Sequence, residues 1–363
     1  MQNGKIIFQK SYGKFTYAHD AKIVENNCLY DIASITKIAA SGFALMKLSS
    51  EGKFDYKKTL GYYLPELKGS NKENLLIEEV LSHQAGLLAW VPFYQSTLLK
   101  NGKHKAGYYD KHVSDDFPNE VAHHVFAVKG IQDSIFNMII KSKLEKQGEY
   151  VYSDLGYYFM QRIIEKISGQ SLNVFVSELY TKLGIQLTYQ PLKFYPKSQI
   201  CPTENDKIFR KQLIQGYVHD PGAALMGGVA GHAGLFSNAG ELAKLMQLFL
   251  NKGELNGLQI LDSNVVKDFT DCHFCPKNRR GLCFEKPEMN PKKDSPVTAD
   301  CSAESFGHAG FTGTLAWADP ENKLVFVFLS NRVCPSAEEN KLAKLGIRGK
   351  IHKQLYELLK QID

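Results

Sequence analysis

Apolar residues recur at roughly helical spacing from Ile38 to Leu48 (Ile38, Ala39, Phe43, Ala44, Leu45, Leu48), and Gly52 stands just past the end of the run. The pattern predicts a helix that opens near Ser34. Similar runs predict helices over Ile77 to Ser82, Ile131 to Leu144, Leu155 to Ile167, Leu172 to Leu183 and Glu241 to Leu250. A closing helix is expected from about Arg348 to Ile362, with Ile351, Leu355, Leu358 and Leu359 on one stripe. Strand signals sit at the two ends of the chain. Alternation from Lys5 to Tyr12, a turn at Gly13-Lys14 and a second extended run toward Leu29-Tyr30 form one set. Thr314 to Ala318 and Lys323 to Leu329 form the other, joined by the turn-forming Asp319-Pro320-Glu321-Asn322 as an antiparallel hairpin.

Strands at both ends with helices between them imply an α/β chain of the α+β type. One antiparallel sheet is built from both chain ends and flanked by helices, with a mainly helical region inserted. The expected division assigns residues 1–50 and 225–363 to the sheet part and 51–224 to the helical part, with an active site at the junction. Residues 95–130, rich in His, Tyr and Lys, and residues 270–305, polar and Pro-containing, read as long loops near the cleft rim. No internal repeat or low-complexity tract is visible.

A length of 363 residues with 44% hydrophobic and 23% charged residues is ordinary globular material, and a formal net charge of +6 is modest for that length. No dense Lys/Arg run interleaved with aromatics is present, so nucleic acid is not an expected partner. No uninterrupted apolar stretch is long enough to span a bilayer, and the N-terminus lacks an apolar signal core. The abrupt entry into a strand after Met1-Gln2-Asn3-Gly4 fits a segment of a longer or processed chain. Seven cysteines, an odd number, exclude a complete disulfide framework but not one or two bridges. Cys272-His273-Phe274-Cys275 with Cys283 looks like part of a metal site, but a fourth ligand is not obvious, and free or loosely paired thiols in a surface loop are the expectation.

Four segments carry candidate chemistry. Ser34-Ile35-Thr36-Lys37 puts a hydroxyl and an amine three residues apart, on one face of a helix start, where free N–H groups favour developing negative charge and the amine can exchange a proton with the alcohol. The plain alternative is an N-cap serine with a solvated lysine. Tyr150-Val151-Tyr152-Ser153-Asp154-Leu155-Gly156-Tyr157 places a phenol and two short polar side chains at the start of a helix. A phenol of depressed pKa beside an ammonium could act as general base for the serine, while Ser153 or Asp154 could instead cap the helix. Gly307-His308-Ala309-Gly310-Phe311-Thr312-Gly313-Thr314 is a small-residue strand edge that a ligand could approach closely, or simply a bend. Gly227-Gly228-Val229-Ala230-Gly231-His232-Ala233-Gly234-Leu235 is read as packing a helix against the sheet.

Taken together these segments resemble the serine hydrolases of the class C β-lactamase and penicillin-binding-protein family, with hallmarks Ser-x-x-Lys, Tyr-x-Asn and Lys-Thr-Gly in that chain order. Leu81-Ser82-His83-Gln84-Ala85-Gly86-Leu87, Gly231 to Ser237 and Leu329-Ser330-Asn331-Arg332 add matches along nearly the whole chain. Asn278-Arg279-Arg280-Gly281-Leu282 and Leu345-Gly346-Ile347-Arg348 are similar to the version fused behind a family 3 glycoside hydrolase, which would place such a domain before this one. The resemblance implies Ser34 as nucleophile, Lys37 as its proton partner and Tyr152 as the base that later protonates the leaving group. It further implies an oxyanion hole from the N–H groups of Ser34 and Phe311, and His308 lining the cleft beside Gly310. It implies no cofactor and no metal, a small-molecule acyl substrate, and a periplasmic or secreted location.

Two departures stand out. His308-Ala309-Gly310 replaces Lys-Thr-Gly, and Asp154 stands where asparagine is usual. A neutral histidine in place of a permanent cation should weaken binding of substrate carboxylates and leave esters and neutral acyl groups unaffected. In a second framing, Ser153-Asp154-Leu155 is a broken Ser-Asp-Asn and Ser153 relays the proton. The implied activity is esterase- or amidase-like hydrolysis of a small acyl or cell-wall-derived substrate. Its alternatives are a β-lactamase or D-alanyl-D-alanine carboxypeptidase, and a sensor or accessory domain that does not turn over.

Overall fold

The computed structural model describes residues 1–361 apart from 291 and 294. In chain order, the elements that position the cleft are β1 (Tyr30–Asp31), α1 (Phe43–Ser50), α2 (Leu155–Ser168), α3 (Leu172–Leu183), β2 (Thr188–Tyr189), β3 (Leu235–Ser237) and α4 (Ala239–Leu250). The chain then forms β4 (Phe306–Ala309), β5 (Leu315–Asp319), β6 (Leu324–Phe328) and α5 (Ile347–Leu359). The predicted helices are present with ends shifted by a few residues, and Ile362, the expected end of the last, lies outside the described residues.

The sheet β4-β5-β6 is antiparallel, with His308 opposite Ala316 and Leu315 opposite Phe328. It is covered on both faces, which is why β5 reads as an unbroken apolar run. Leu315 and Trp317 point to one side, where they pack with Tyr356, Leu355 and Leu359 around α5. Ala316 and Ala318 point to the other and join the main core, on the side where α4 packs. The small alanines let α4 lie close. Both chain ends meet at this sheet: the Met1 amino group donates to Val325 O (2.7 Å), Val325 N–H donates to Met1 O (2.8 Å), and Gln2 bridges Leu324. A second small antiparallel sheet has β3 between β1 and β2, with Tyr30 opposite Ser237 and Thr188 opposite Phe236.

Three local expectations differ from the structure. Residues 5–12 form no strand. The edge of β6 is already taken by Met1 and Gln2, and Ile6, Ile7, Phe8 and Tyr12 lie exposed with no partner strand. The segment 95–130 is not wholly irregular: Tyr109–Asp110, Asn119–Ala122 and Val125–Ala127 form a three-stranded antiparallel sheet. The turn at its hairpin uses His124 at φ 55°, and a non-glycine residue with positive φ gives no turn signal in the sequence. Cys272 and Cys275 form a disulfide and so are not available as metal ligands, while Cys283 is buried against Gly42.

Candidate active site

The chain does not enter a regular α-helix at Ser34. Ala33–Ile35 is a 3₁₀ turn, Lys37–Gly42 a π-helical turn, and α1 follows. A 3₁₀ turn has three residues per revolution and eclipses positions i and i+3, so Lys37 lies directly over Ser34. The Lys37 ammonium donates to Ser34 Oγ at 3.0 Å. Ala33, immediately before the serine, sits at φ 47°, a strained conformation for a residue with a Cβ. Surrounding bonds hold it there. The Asp31 carboxylate accepts the N–H groups of Ala33 (2.8 Å) and His219 (2.6 Å), and the hydroxyls of Thr312 and Thr314 donate to Asp31 O (2.7 Å) and Ile32 O (3.1 Å). Gly310 lies so near this turn that a Cβ would come 2.1 Å from Thr314 Oγ1 and 2.5 Å from Ile32 O.

Lys37 is fully buried. Its ammonium pairs with Asp154 Oδ1 (2.7 Å), donates to His232 O (3.3 Å) and lies 5.0 Å from the centre of the Tyr152 ring. Burial alone would lower its pKa, but the Asp154 carboxylate and Tyr152 outweigh it and hold Lys37 above its ordinary value. Tyr152 is also raised. Burial is the largest cause, and Asp154 adds to it, while interactions with Lys37 and Ser34 oppose it without cancelling it. The expected depression of the phenol is therefore not met, because burial outweighs the pull of the Lys37 ammonium and the Asp154 carboxylate adds to the effect of burial. With both values raised, Lys37 and Tyr152 each hold their proton at neutral pH.

Ser153 is turned away from this group. Its hydroxyl donates to Leu88 O (2.7 Å) and accepts the Leu155 N–H (3.2 Å), and its own N–H donates to His83 Nδ1 (3.1 Å). It fastens the start of α2, so the geometry does not support the relay framing. His308 does face the cleft. Its Nδ1 lies 2.7 Å from Ala309 O and must carry the proton, which leaves Nε2 as a lone pair, buried and without a partner among the described residues. Burial first, then the charges of Arg280 and Lys37, push its pKa well below the usual value, so it stays neutral. Phe311 is 55% exposed on the rim, its ring stacked on His219 at 5.5 Å, and its N–H donates to no group among the described residues.

Ser34, Tyr152, Asp154, His308, Gly310 and Phe311 line one cleft of about 730 Å³, with Lys37 beneath its floor. Several residues with no role assigned from the sequence line it as well. His232, in the glycine-rich stretch read as packing, pairs with Asp220 (2.9 Å) and gives its carbonyl to Lys37. Arg280 is 5% exposed, its guanidinium carbon 5.4 Å from the Tyr152 ring centre, and its Nη1 is buried without a partner among the described residues. Arg332 and Arg348 border the same cleft. So arginines on other segments put fixed positive charge on the cleft wall, while the His308 motif itself carries none. All three arginines fall in stretches that carried the family resemblance. The 270–305 loop delivers Arg280 because Glu285 pairs with Gly307 along the edge of β4.

A family model described as Beta-lactamase matches residues 1–347. The N-acetylmuramyl-L-alanine amidase of Bacillus subtilis (strain 168) is 31% identical over 366 residues, spanning 92% of this chain and 76% of that protein. An Escherichia coli (strain K12) protein named "Putative D-alanyl-D-alanine carboxypeptidase" is 30% identical over 408 residues, spanning 99% of this chain and 86% of that protein. Among solved structures, EstCE1, a hydrolase with promiscuous acyltransferase activity, aligns with a TM-score of 0.66 at 15% identity, covering 97% of this chain and 92% of that one. A penicillin-binding protein homolog from Caulobacter crescentus aligns with a TM-score of 0.61 at 18% identity, covering 88% and 81%. The chain belongs to the beta-lactamase family. It is a serine hydrolase with the mixed helix and antiparallel-sheet fold of penicillin-binding-protein homologues.

Proposed function

We propose that this chain hydrolyses an ester or amide bond of a small acyl or cell-wall-derived substrate through an acyl-enzyme on Ser34. The observation that carries the reading is the contact of buried Lys37 with both Ser34 Oγ (3.0 Å) and Asp154 (2.7 Å), beside Tyr152, with Ser34, Tyr152 and Asp154 lining the cleft. In the proposed reaction Ser34 Oγ attacks the acyl carbon and its proton passes to the Lys37–Tyr152 pair once that pair has lost one proton. The oxygen anion of the tetrahedral intermediate is received by the N–H groups of Ser34 and Phe311. The leaving group departs with a proton from Tyr152, and water then releases the acid from Ser34 by the reverse transfers. His308 is assigned to the strand wall as a neutral acceptor.

We keep the division into a sheet part and a helical part as part of this proposal. The segment 1–50 with 225–363 contributes Ser34, Lys37 and His308, and the segment 51–224 contributes Tyr152 and Asp154. A periplasmic or secreted location is our further reading, supported by the cell-wall-related names of the relatives. Among the described residues no helix is long and apolar enough to cross a membrane. D-alanyl-D-alanine carboxypeptidase activity is a second reading, favoured by the relative's name and by the arginines on the cleft wall. Burst kinetics with p-nitrophenyl esters and nitrocefin, together with fluorophosphonate labelling, test the proposal. Turnover and labelling that both disappear in Ser34→Ala are expected. Labelling without turnover would mean a sensor, and turnover that survives Ser34→Ala would sink the assignment.

A further inference from the structure

Phe311 lies in the turn that joins β4 to β5, and the peptide planes on both sides of its Cα are pinned. Gly310 O accepts the Gly313 N–H (2.9 Å). The carbonyl and N–H of a trans peptide point opposite ways, so the Phe311 N–H is turned out of the turn. On the other side Phe311 O accepts from Arg332 Nε (2.9 Å), and Thr312 O accepts the Arg332 main-chain N–H (3.1 Å). The Arg332 guanidinium carbon also lies 4.5 Å from the centre of the Phe311 ring. A second donor of the same guanidinium, Nη1, reaches Ala337 O (3.0 Å). From there the Ala337 N–H donates to Glu204 Oε1 (3.2 Å), and Glu204 Oε2 meets His219 Nε2 at 3.0 Å. His219 closes the circuit twice. Its ring stacks on that of Phe311 at 5.5 Å, and its main-chain N–H donates to Asp31 Oδ2 (2.6 Å), whose other oxygen holds the Ala33 N–H (2.8 Å) just before Ser34.

We propose that Arg332, braced through Ala337 and the Glu204–His219 pair, is a positioning residue that fixes the Phe311 N–H relative to the Ser34 N–H, so that the two act as one preformed oxyanion site. The inference rests on reading the cleft as that of a hydrolase whose oxyanion is received by those two groups. Phe311 is 55% exposed on the rim, so packing alone does not hold it. The planar guanidinium fork does, because it bonds two main-chain carbonyls from separate segments at once, which a single-point ammonium cannot do. Asp31 carries the same circuit into the strained turn at Ala33, so both oxyanion donors hang on one set of contacts. Such donors accelerate a reaction only when they already stand where the charge will develop.

Kinetics of the intact protein with a neutral p-nitrophenyl ester and its thionoester, C=S in place of C=O, test this. Sulfur is larger and a weaker acceptor and gains little from N–H groups placed for oxygen. The ratio of kcat/KM for the two esters, corrected for their hydroxide hydrolysis, therefore reads the oxyanion site. Arg332→Met should lose about 10²-fold in kcat with the oxygen ester, with KM nearly unchanged, and far less with the thionoester. The ratio should thus fall roughly tenfold or more. Arg332→Lys should recover part of it, and carries the test if Arg332→Met does not fold. Equal losses on both esters, or loss of the fold in both variants, would make Arg332 a support of the fold and overturn the positioning role. An unmoved ratio in folded variants, or a ratio near one in the unmodified protein, overturns it too while leaving the hydrolase standing. Absence of turnover of either ester by the unmodified protein sinks the hydrolase reading and the positioning role together.

Discussion

Replacing Asp154 by asparagine, which restores the residue common at this position in the family, tests the electrostatics of the site most directly. In the native chain the carboxylate lies 2.7 Å from the Lys37 ammonium and raises the pKa of both Lys37 and Tyr152. An opposite charge at such range shifts a buried group by roughly 1–3 pKa units. The Asp154 side chain keeps 20% exposure, so the lower half of that range, about 1–2 units or 1.4–2.7 kcal/mol, is the expectation. The sign follows from the protonation states. Both groups of the pair hold their protons at neutral pH, and the reactive form has lost one. Removing Asp154 makes that loss easier, so the ascending alkaline limb of kcat/KM should move to lower pH by about 1–2 units. The assay is a pH profile with a neutral ester, followed by acid release in a pH-stat so that the chromophore's own titration does not enter. The same variant should lose roughly 3 kcal/mol of stability near neutral pH, where a buried ammonium keeps neutral acceptors such as Ser34 Oγ and His232 O but loses its counter-charge. An alkaline limb that stays in place, or that moves upward, would refute the assignment of Asp154 as the group that sets the Lys37–Tyr152 proton.

Tyr152→Phe should lower kcat by about 10²–10⁴-fold with little change in melting temperature. Ser153→Ala should instead cost about 1–2 kcal/mol of stability and leave kcat nearly intact, because its hydroxyl serves Leu88 O and the Leu155 N–H; the reverse pattern would favour the relay. Gly310→Ala drives a Cβ into Thr314 Oγ1 and Ile32 O, so a loss of about 1–3 kcal/mol in denaturant titration and a drop in kcat on the order of 10²-fold are expected, and a fully active variant would show that the strand need not lie so close to the serine turn. His308 stays neutral because burial holds its pKa well below 6.5, so kcat/KM for a neutral ester should show no inflection near pH 6.5 that vanishes in His308→Gln.

The sequence by itself determined the element types and the order of the chemistry. Helical periodicity marked α2, α3 and α4, and the apolar runs either side of Asp319-Pro320-Glu321-Asn322 marked the β5–β6 hairpin, because both signals are local. It also placed Ser34 and Lys37 on one face, since three residues fix their separation in any helical turn. Only the tertiary structure decided the rest. Whether residues 5–12 pair depends on which segment reaches the β6 edge first, and Met1 and Gln2 occupy it. The direction of the Tyr152 shift depends first on burial of the phenol and then on Asp154, two residues on, meeting the Lys37 ammonium at 2.7 Å; the segment supplies the carboxylate, but the burial and the contact come from the fold. The positive wall of the cleft is assembled from Arg280, Arg332 and Arg348, carried by three separate segments. Charge at a site is a sum over neighbours in space, and a linear pattern reports only neighbours along the chain.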